Sequence, residues 1–173
     1  RTATLEKQPD VGKELIAICP GIEAVNFDCY QEYYHALVLG RGIAAAFADL
    51  KSRYTGEYVK SQCHPLTHII GKAAALKYPD VSEAYRHGDS FCWSGYYHGV
   101  LEGVAGEMGR EKLLKNLDSI CASIAGKERY SFDYYNCVHG LGHGVMAITG
   151  DELFESLTLC DTLTGVWEQS SCH

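Results

Sequence analysis

CWSGYYH at Cys92–His98 is one of three segments in which a histidine follows a cysteine by six residues. The other two are CYQEYYH at Cys29–His35 and CVHGLGH at Cys137–His143. A fourth segment, CHPLTH at Cys63–His68, has the same pattern but is one residue shorter. A run of small, aliphatic or glycine residues follows each copy. The chain therefore contains an internal repeat that places a histidine one or two helical turns after a cysteine.

The segments between these cysteines have the periodicity of helices. Apolar residues recur at three- and four-residue spacing in REKLLKNLDSICASI (110–124) and DELFESLTL (151–159), which is typical of amphipathic helices. Asp28, Asn136 and Ser171 each precede a cysteine and are residue types that cap helix N-termini. The sequence predicts one all-α domain over residues 1–173, built as stacked antiparallel helical hairpins in an α/α repeat or a partial toroid. Its units are expected to begin near residues 29, 63, 92, 137 and 172.

The cysteines indicate a disulfide framework. Their number, eight, is even, and no two stand two to four residues apart as the cysteines of structural zinc sites usually do. Several of them end an apolar helical stretch, and the next cysteine along the chain begins the next unit. We expect four bridges: Cys19–Cys29, Cys63–Cys92, Cys121–Cys137 and Cys160–Cys172. Such a framework predicts an oxidising location, which is secreted, periplasmic or at the cell surface.

The histidines are candidate metal ligands because equivalent positions in successive repeats can converge in space. Two pairs have i, i+4 spacing, which places both rings on one face of a helix. Two further histidines lack a second ring but have a carboxylate three or four residues away. The predicted ligands are His35, His64, His68, His98, His139 and His143. Glu32 and Glu102 are predicted as further ligands, as catalytic groups or as partners that orient the rings. One or two ions of zinc or copper fit these ligands.

Glycines and tyrosines near the predicted ligands each have two interpretations. The glycines are Gly95, Gly99, Gly140, Gly142 and Gly144. They lower helix propensity, which indicates either close helix packing or room for a ligand. The tyrosine pairs at 33–34 and 96–97 are typical of an amphipathic core edge. Near a metal, such hydroxyls would instead favour oxygen chemistry at copper.

Charge and hydropathy disfavour nucleic-acid binding and a membrane-spanning segment. The formal net charge of −7 disfavours nucleic acid, which requires a basic face. No apolar run is long enough to span a bilayer. The predicted function is an extracytoplasmic metalloenzyme acting on a small-molecule substrate, hydrolytic with zinc or oxygen-dependent with copper. Two alternatives remain open, a non-catalytic metal carrier and a disulfide-stapled interaction module with structural histidines. The pattern predicts no oligomeric state.

Overall fold

The computed structural model describes residues 26–173, and this part of the chain contains helices and no strand. The prediction of an all-α stack of helical hairpins is confirmed. The α-helices are α1 Phe27–Arg41, α2 Ile43–Arg53, α3 Glu57–Ser61, α4 Cys63–Lys77, α5 Val81–Arg86, α6 Gly95–Met108, α7 Arg110–Ile120, α8 Phe132–Thr149, α9 Leu153–Cys160 and α10 Val166–Cys172. A short 3₁₀ turn covers Lys127–Arg129. Among the described helices, none is long and apolar enough to cross a bilayer.

Four long helices form an inner row in the order α1, α4, α6 and α8. Helices α4 and α6 run parallel, because a Cβ built on Gly95 would contact His64 and one on Gly103 would contact Lys72. Helices α6 and α8 are parallel by the same criterion, since Gly140 faces Leu101 and Gly144 faces Ala105. Equivalent positions of three repeats therefore lie side by side at one level of the row.

Glycines allow the inner helices to approach each other at backbone distance. A Cβ on Gly99 would lie 2.6 Å from the Cα of His68, and one on Gly71 would lie 2.7 Å from the backbone nitrogen of Val100. No side chain fits at either position, so close packing accounts for these glycines. The same closeness brings the histidines of neighbouring helices within reach of one another.

Buried tyrosines fill the core beside the row. Tyr34 and Tyr96 are fully buried. The Tyr34 hydroxyl donates to Asp49 at 3.1 Å, and the Tyr96 hydroxyl donates to the carbonyl of Ala84 at 2.7 Å. Both hydroxyls are thus committed to structural hydrogen bonds, as expected for core tyrosines.

Three of the four predicted disulfides are present in the described part of the chain. Cys63–Cys92, Cys121–Cys137 and Cys160–Cys172 have Cα–Cα distances of 5.6, 5.9 and 5.6 Å, which suit a disulfide. The fourth predicted bridge, Cys19–Cys29, includes Cys19, which lies outside the described residues. Bridges of this kind are typical of proteins that fold in an oxidising environment.

The helix boundaries differ from those predicted from the capping residues. Helix α1 is capped by Asn26, whose side chain accepts from the Cys29 nitrogen, and α8 is capped by Ser131. Asn136 instead lies inside α8, where its amide donates to the carbonyl of Phe132 at 2.8 Å. Cys172 ends α10 and does not begin a helix. In both long helices the N-cap is an earlier polar residue. Cys29 therefore lies in the first turn of α1, and Cys137 lies in the second turn of α8.

Candidate metal centre

Three parallel helices bring five histidines and one glutamate together. They are His64 and His68 on α4, His98 and Glu102 on α6, and His139 and His143 on α8. The ring centroids of neighbouring histidines lie 4.6 to 5.5 Å apart. The i, i+4 pairs face inward from α4 and α8, and His98 lies between them. The cluster follows from the parallel register and the close approach of the helices.

The six side chains form three overlapping groups of possible ligands. Each group contains three ligand atoms that lie within 4.8 Å of one another. The groups are His64–His68–His98, His98–His139–His143 and His68–Glu102–His143. Three protein ligands with one open position are typical of a catalytic zinc site. The geometry is therefore compatible with one or two ions.

Backbone carbonyls orient the first histidine of each pair. His64 Nδ1 lies 2.8 Å from the carbonyl oxygen of Cys92, and His139 Nδ1 lies 3.2 Å from that of Ser171. A carbonyl only accepts, so in both rings Nδ1 carries the proton and a neutral ring keeps its lone pair on Nε2. Metal-binding histidines are commonly oriented in this way.

Glu102 orients His68, the second histidine on α4, and lies close to His143, the second on α8. Its Oε1 accepts from His68 Nδ1 at 2.7 Å and lies 3.7 Å from His143 Nδ1, while its Oε2 lies 2.6 Å from the ammonium of Lys72. One buried carboxylate thus faces both helices that carry the pairs. The Nε2 atoms of these two rings remain for a ligand.

The two rings on α4 bring their remaining nitrogens into contact. His64 Nε2 lies 3.0 Å from His68 Nε2. Because both Nδ1 atoms donate elsewhere, the neutral rings would direct two lone pairs at each other. A positive charge, either a shared proton or a metal ion, relieves this repulsion. The pair is preorganised for a cation.

The electrostatics favour neutral rings at His64, His98 and His143 and an ionised carboxylate at Glu102 at neutral pH. Burial, followed by the neighbouring imidazoles, lowers the pKa of His98 to about 3. Burial likewise lowers the pKa of His143 to about 4 and also lowers that of His64. Burial raises the pKa of Glu102, but the hydrogen bonds from His68 and Lys72 outweigh it and bring the pKa to about 2. These are the protonation states that metal binding requires.

We expect the metal-free protein to lose stability on acidification. The pKa of His98 is about 3 in the folded protein against an ordinary value of 6.5, so between these values the unfolded chain binds more protons and acid favours unfolding. Stability is full above about pH 6.5 and declines towards pH 3. His98 is 6% exposed, and its contribution to the loss between about pH 7 and about pH 5 is on the order of 2 kcal/mol.

Urea denaturation of chelator-treated protein at several pH values measures this loss. His98→Asn, which does not titrate, should flatten the dependence. An unfolding free energy that stays constant over this range in the native sequence would contradict the prediction.

A cavity of about 270 Å³ opens beside the cluster. Its walls contain His64, His68, Glu102 and His143 together with Phe27, Gln31, His35, Pro65, Ile69 and Lys72. His35 is exposed and lines this cavity but belongs to none of the three ligand groups. Glu32 is also exposed and lies outside both the groups and the cavity wall. The cavity has room for a small molecule next to the cluster.

A second cavity of about 300 Å³ also reaches the cluster. His139 and His143 line it together with Met146 and His173, and His173 Nε2 lies 3.0 Å from an Asp161 carboxylate oxygen. The cluster thus contributes side chains to two cavities.

His87 takes no part in the cluster. It is exposed and its ring stacks on Tyr78, with centroids 4.5 Å apart.

Three contributors to the centre were not found from the sequence. Lys72 stands four residues after His68, so the helical spacing could have indicated it. The carbonyls of Cys92 and Ser171 carry no side-chain signal, since any residue has a carbonyl. Their positions depend on the backbone path beside two disulfide bridges.

An unusual turn positions the carbonyl of Cys92. Cys92, Trp93 and Ser94 have φ values of 56°, 58° and 63°, which is the left-handed region. Each non-glycine residue there costs about 1–2 kcal/mol. Strain of this kind often lies at functional sites. Here it accompanies the hydrogen bond that orients His64 and leaves the Trp93 side chain 73% exposed.

Comparisons with protein-family models, with curated proteins and with solved structures find no match. The interpretation of the centre therefore depends on its own geometry.

Proposed function

We propose that this protein is an extracytoplasmic metalloenzyme that uses a zinc centre in the histidine cluster to hydrolyse a small-molecule substrate. The observation that carries the proposal is the 3.0 Å contact between His64 Nε2 and His68 Nε2 in rings whose Nδ1 atoms already have acceptors. Lone pairs held together in this way suit a cation. A zinc ion with three protein ligands activates a bound water by lowering its pKa towards neutrality.

Two of the predicted tyrosines give no support to copper. Tyrosine hydroxyls near the centre would favour oxygen chemistry, but those of Tyr34 and Tyr96 bond to Asp49 and to a backbone carbonyl. Imidazole suits both metals, so we assign zinc, the more common hydrolytic metal.

Glu102 is assigned mainly to positioning. Efficient general bases have a pKa near the working pH, whereas the hydrogen bonds to Glu102 hold its pKa at about 2. Its oxygens orient His68 and face Lys72. As in other carboxylate–histidine–metal arrangements, this partner fixes the orientation of the ring.

The cavity beside the cluster supports a small substrate. It combines apolar walls at Phe27 and Ile69 with the ammonium of Lys72, and Lys72 has a half-exposed side chain. Such a site accepts a molecule with an apolar part and a polar or anionic group.

Metal analysis and hydrolysis assays test the proposed function. Oxidised protein is stripped with a chelator, dialysed against zinc and assayed with 4-nitrophenyl acetate and bis(4-nitrophenyl) phosphate. We expect one or two equivalents of bound zinc and zinc-dependent turnover of at least one substrate. His98→Asn should reduce turnover to the level of free zinc, whereas His87→Gln, outside the cluster, should retain it.

The same measurements separate the alternatives. Bound zinc without turnover of any substrate class would support a metal carrier. Absence of bound zinc and copper would support an interaction module with structural histidines. Oxygen consumption by copper-loaded protein would indicate an oxidase.

A further inference from the structure

We propose that the centre holds two divalent metal ions and that the ring of His98 bridges them, with one ring nitrogen bound to each ion. The inference rests on the proposed metal centre and adds its nuclearity and its bridging ligand. It assigns one ion to His64, His68 and His98, and the other to His98, His139 and His143.

The contact of His98 with both histidine pairs is the first observation. Its ring centroid lies 5.4 and 5.5 Å from those of His64 and His68, and 4.8 and 4.6 Å from those of His139 and His143. The rings of His98 and His143 are stacked at 13°, so one of them must rotate for both to bind the same ion. Both ligand groups that consist only of histidines contain this ring. A ring shared by two groups can serve both through its two nitrogens.

The hydrogen bonds of three other rings are the second observation. Each directs Nδ1 to an oxygen: His64 to the Cys92 carbonyl, His139 to the Ser171 carbonyl, and His68 to Glu102. These contacts leave Nε2 of each of the three rings for an ion. His143 Nδ1 lies 3.7 Å from Glu102, beyond hydrogen-bond distance. The pairs on α4 and α8 therefore offer two ligand atoms each, one pair to each ion.

His98 lacks any such partner. Its Nδ1 is buried and has no hydrogen-bond partner among the described residues. A buried polar atom left unpaired costs about 1–3 kcal/mol. A metal ion at this nitrogen would remove the cost. The ring with this buried, unpaired nitrogen is the one that belongs to both all-histidine groups.

The third group, His68–Glu102–His143, is less suited to hold an ion. Glu102 accepts from His68 Nδ1 at 2.7 Å and already contacts Lys72. An ion bound there would have to break these contacts. In the two-ion arrangement they persist, and Glu102 orients His68 at one of the ions.

Formation of the bridge releases one proton from His98. A neutral imidazole has one N–H and one lone pair. When the second ion binds, the N–H proton of His98 leaves to solvent and the freed lone pair binds the ion. The ring separates the ions by about 6 Å, given metal–nitrogen bonds of about 2.0 Å on both sides.

Electron paramagnetic resonance of copper-loaded protein tests the bridge. Cu²⁺ serves as the probe because imidazole binds it well and it carries an unpaired electron. We expect two equivalents of bound Cu²⁺, with a low-temperature signal well below that of two independent ions because the shared ring couples their spins. Two ions with the full independent signal, or one ion alone, would overturn the bridge but leave the metal centre in place. No bound copper or zinc would overturn both proposals.

Variants distinguish a bridging His98 ring from a bridging hydroxide. His98→Asn should abolish the coupling. Coupling that persists in this variant would show a bridging hydroxide and overturn the role of His98. His139→Ala removes a ligand of one ion only and should leave a single uncoupled Cu²⁺; two coupled ions in this variant would overturn the assignment of His139 to the second ion. His87→Gln should retain the coupled signal.

Discussion

Replacement of both His68 and His143 by alanine is expected to abolish zinc binding while the helix content stays unchanged. Each ring is the second member of an i, i+4 pair, and both face the carboxylate of Glu102. The double change removes one ligand from each histidine group. Because loss of a mere orienting partner typically costs 10- to 100-fold in metal affinity, loss of two direct ligands should cost at least about 100-fold.

Two measurements check this result. Titration with zinc should show no saturable binding, and circular dichroism should match the native protein because neither ring lies in the apolar core. Zinc at about 100 times its Kd should stabilise the native protein by about 2.7 kcal/mol and should not stabilise the variant. His87→Ala is the control and should behave as the native protein does. Retained zinc binding in the double variant would show that the ligand set is wrong.

Gly99→Ala is expected to destabilise the protein by about 3 kcal/mol, at the upper end of the range for overpacking. The new Cβ would collide with the backbone of His68, including its carbonyl oxygen. A backbone cannot move aside as a flexible side chain can, so α4 and α6 must separate. Separation would also displace His64 and His68 from His98. We therefore expect weaker zinc binding together with the loss of stability.

Gly106→Ala is the matched control on the same helix. A Cβ at Gly106 meets nothing within 4 Å, so this change only improves helix propensity. It should leave stability unchanged or raise it by up to about 1 kcal/mol. Urea denaturation of both variants measures the difference. If Gly99→Ala were as stable as Gly106→Ala, the backbone-distance packing of α4 against α6 would be wrong.

Local patterns in the sequence were sufficient for the helices and for two of the bridges. Apolar spacing depends on the 3.6-residue period alone, and Cys121–Cys137 and Cys160–Cys172 follow the ends of predicted helices. Cys63–Cys92 was predicted only as the remaining pair. Helix boundaries were less predictable. Asn26 and Ser131 are the N-caps, but later polar residues could also cap these helices, and helical spacing does not show which residue does so.

The ligands were predictable as pairs but not as a cluster. The i, i+4 spacing of His64 with His68 and of His139 with His143 places each pair on one helix face. Sequence alone could not show that His98 would lie between the pairs. It also could not show that His35, in the equivalent repeat position, would stay exposed and outside the ligand groups.

The sequence by itself determined the elements of this protein: amphipathic helices, cysteines at their ends, and histidines at equivalent positions. Each of these depends on contacts within a few residues, so the printed chain is sufficient to find them. Only the tertiary structure decided which rings meet and which oxygens orient them. Glu102 reaches His68 from another helix, and the Cys92 carbonyl reaches His64 through a left-handed turn without glycine. Such contacts depend on the distance and register between helices, which packing sets and local sequence does not.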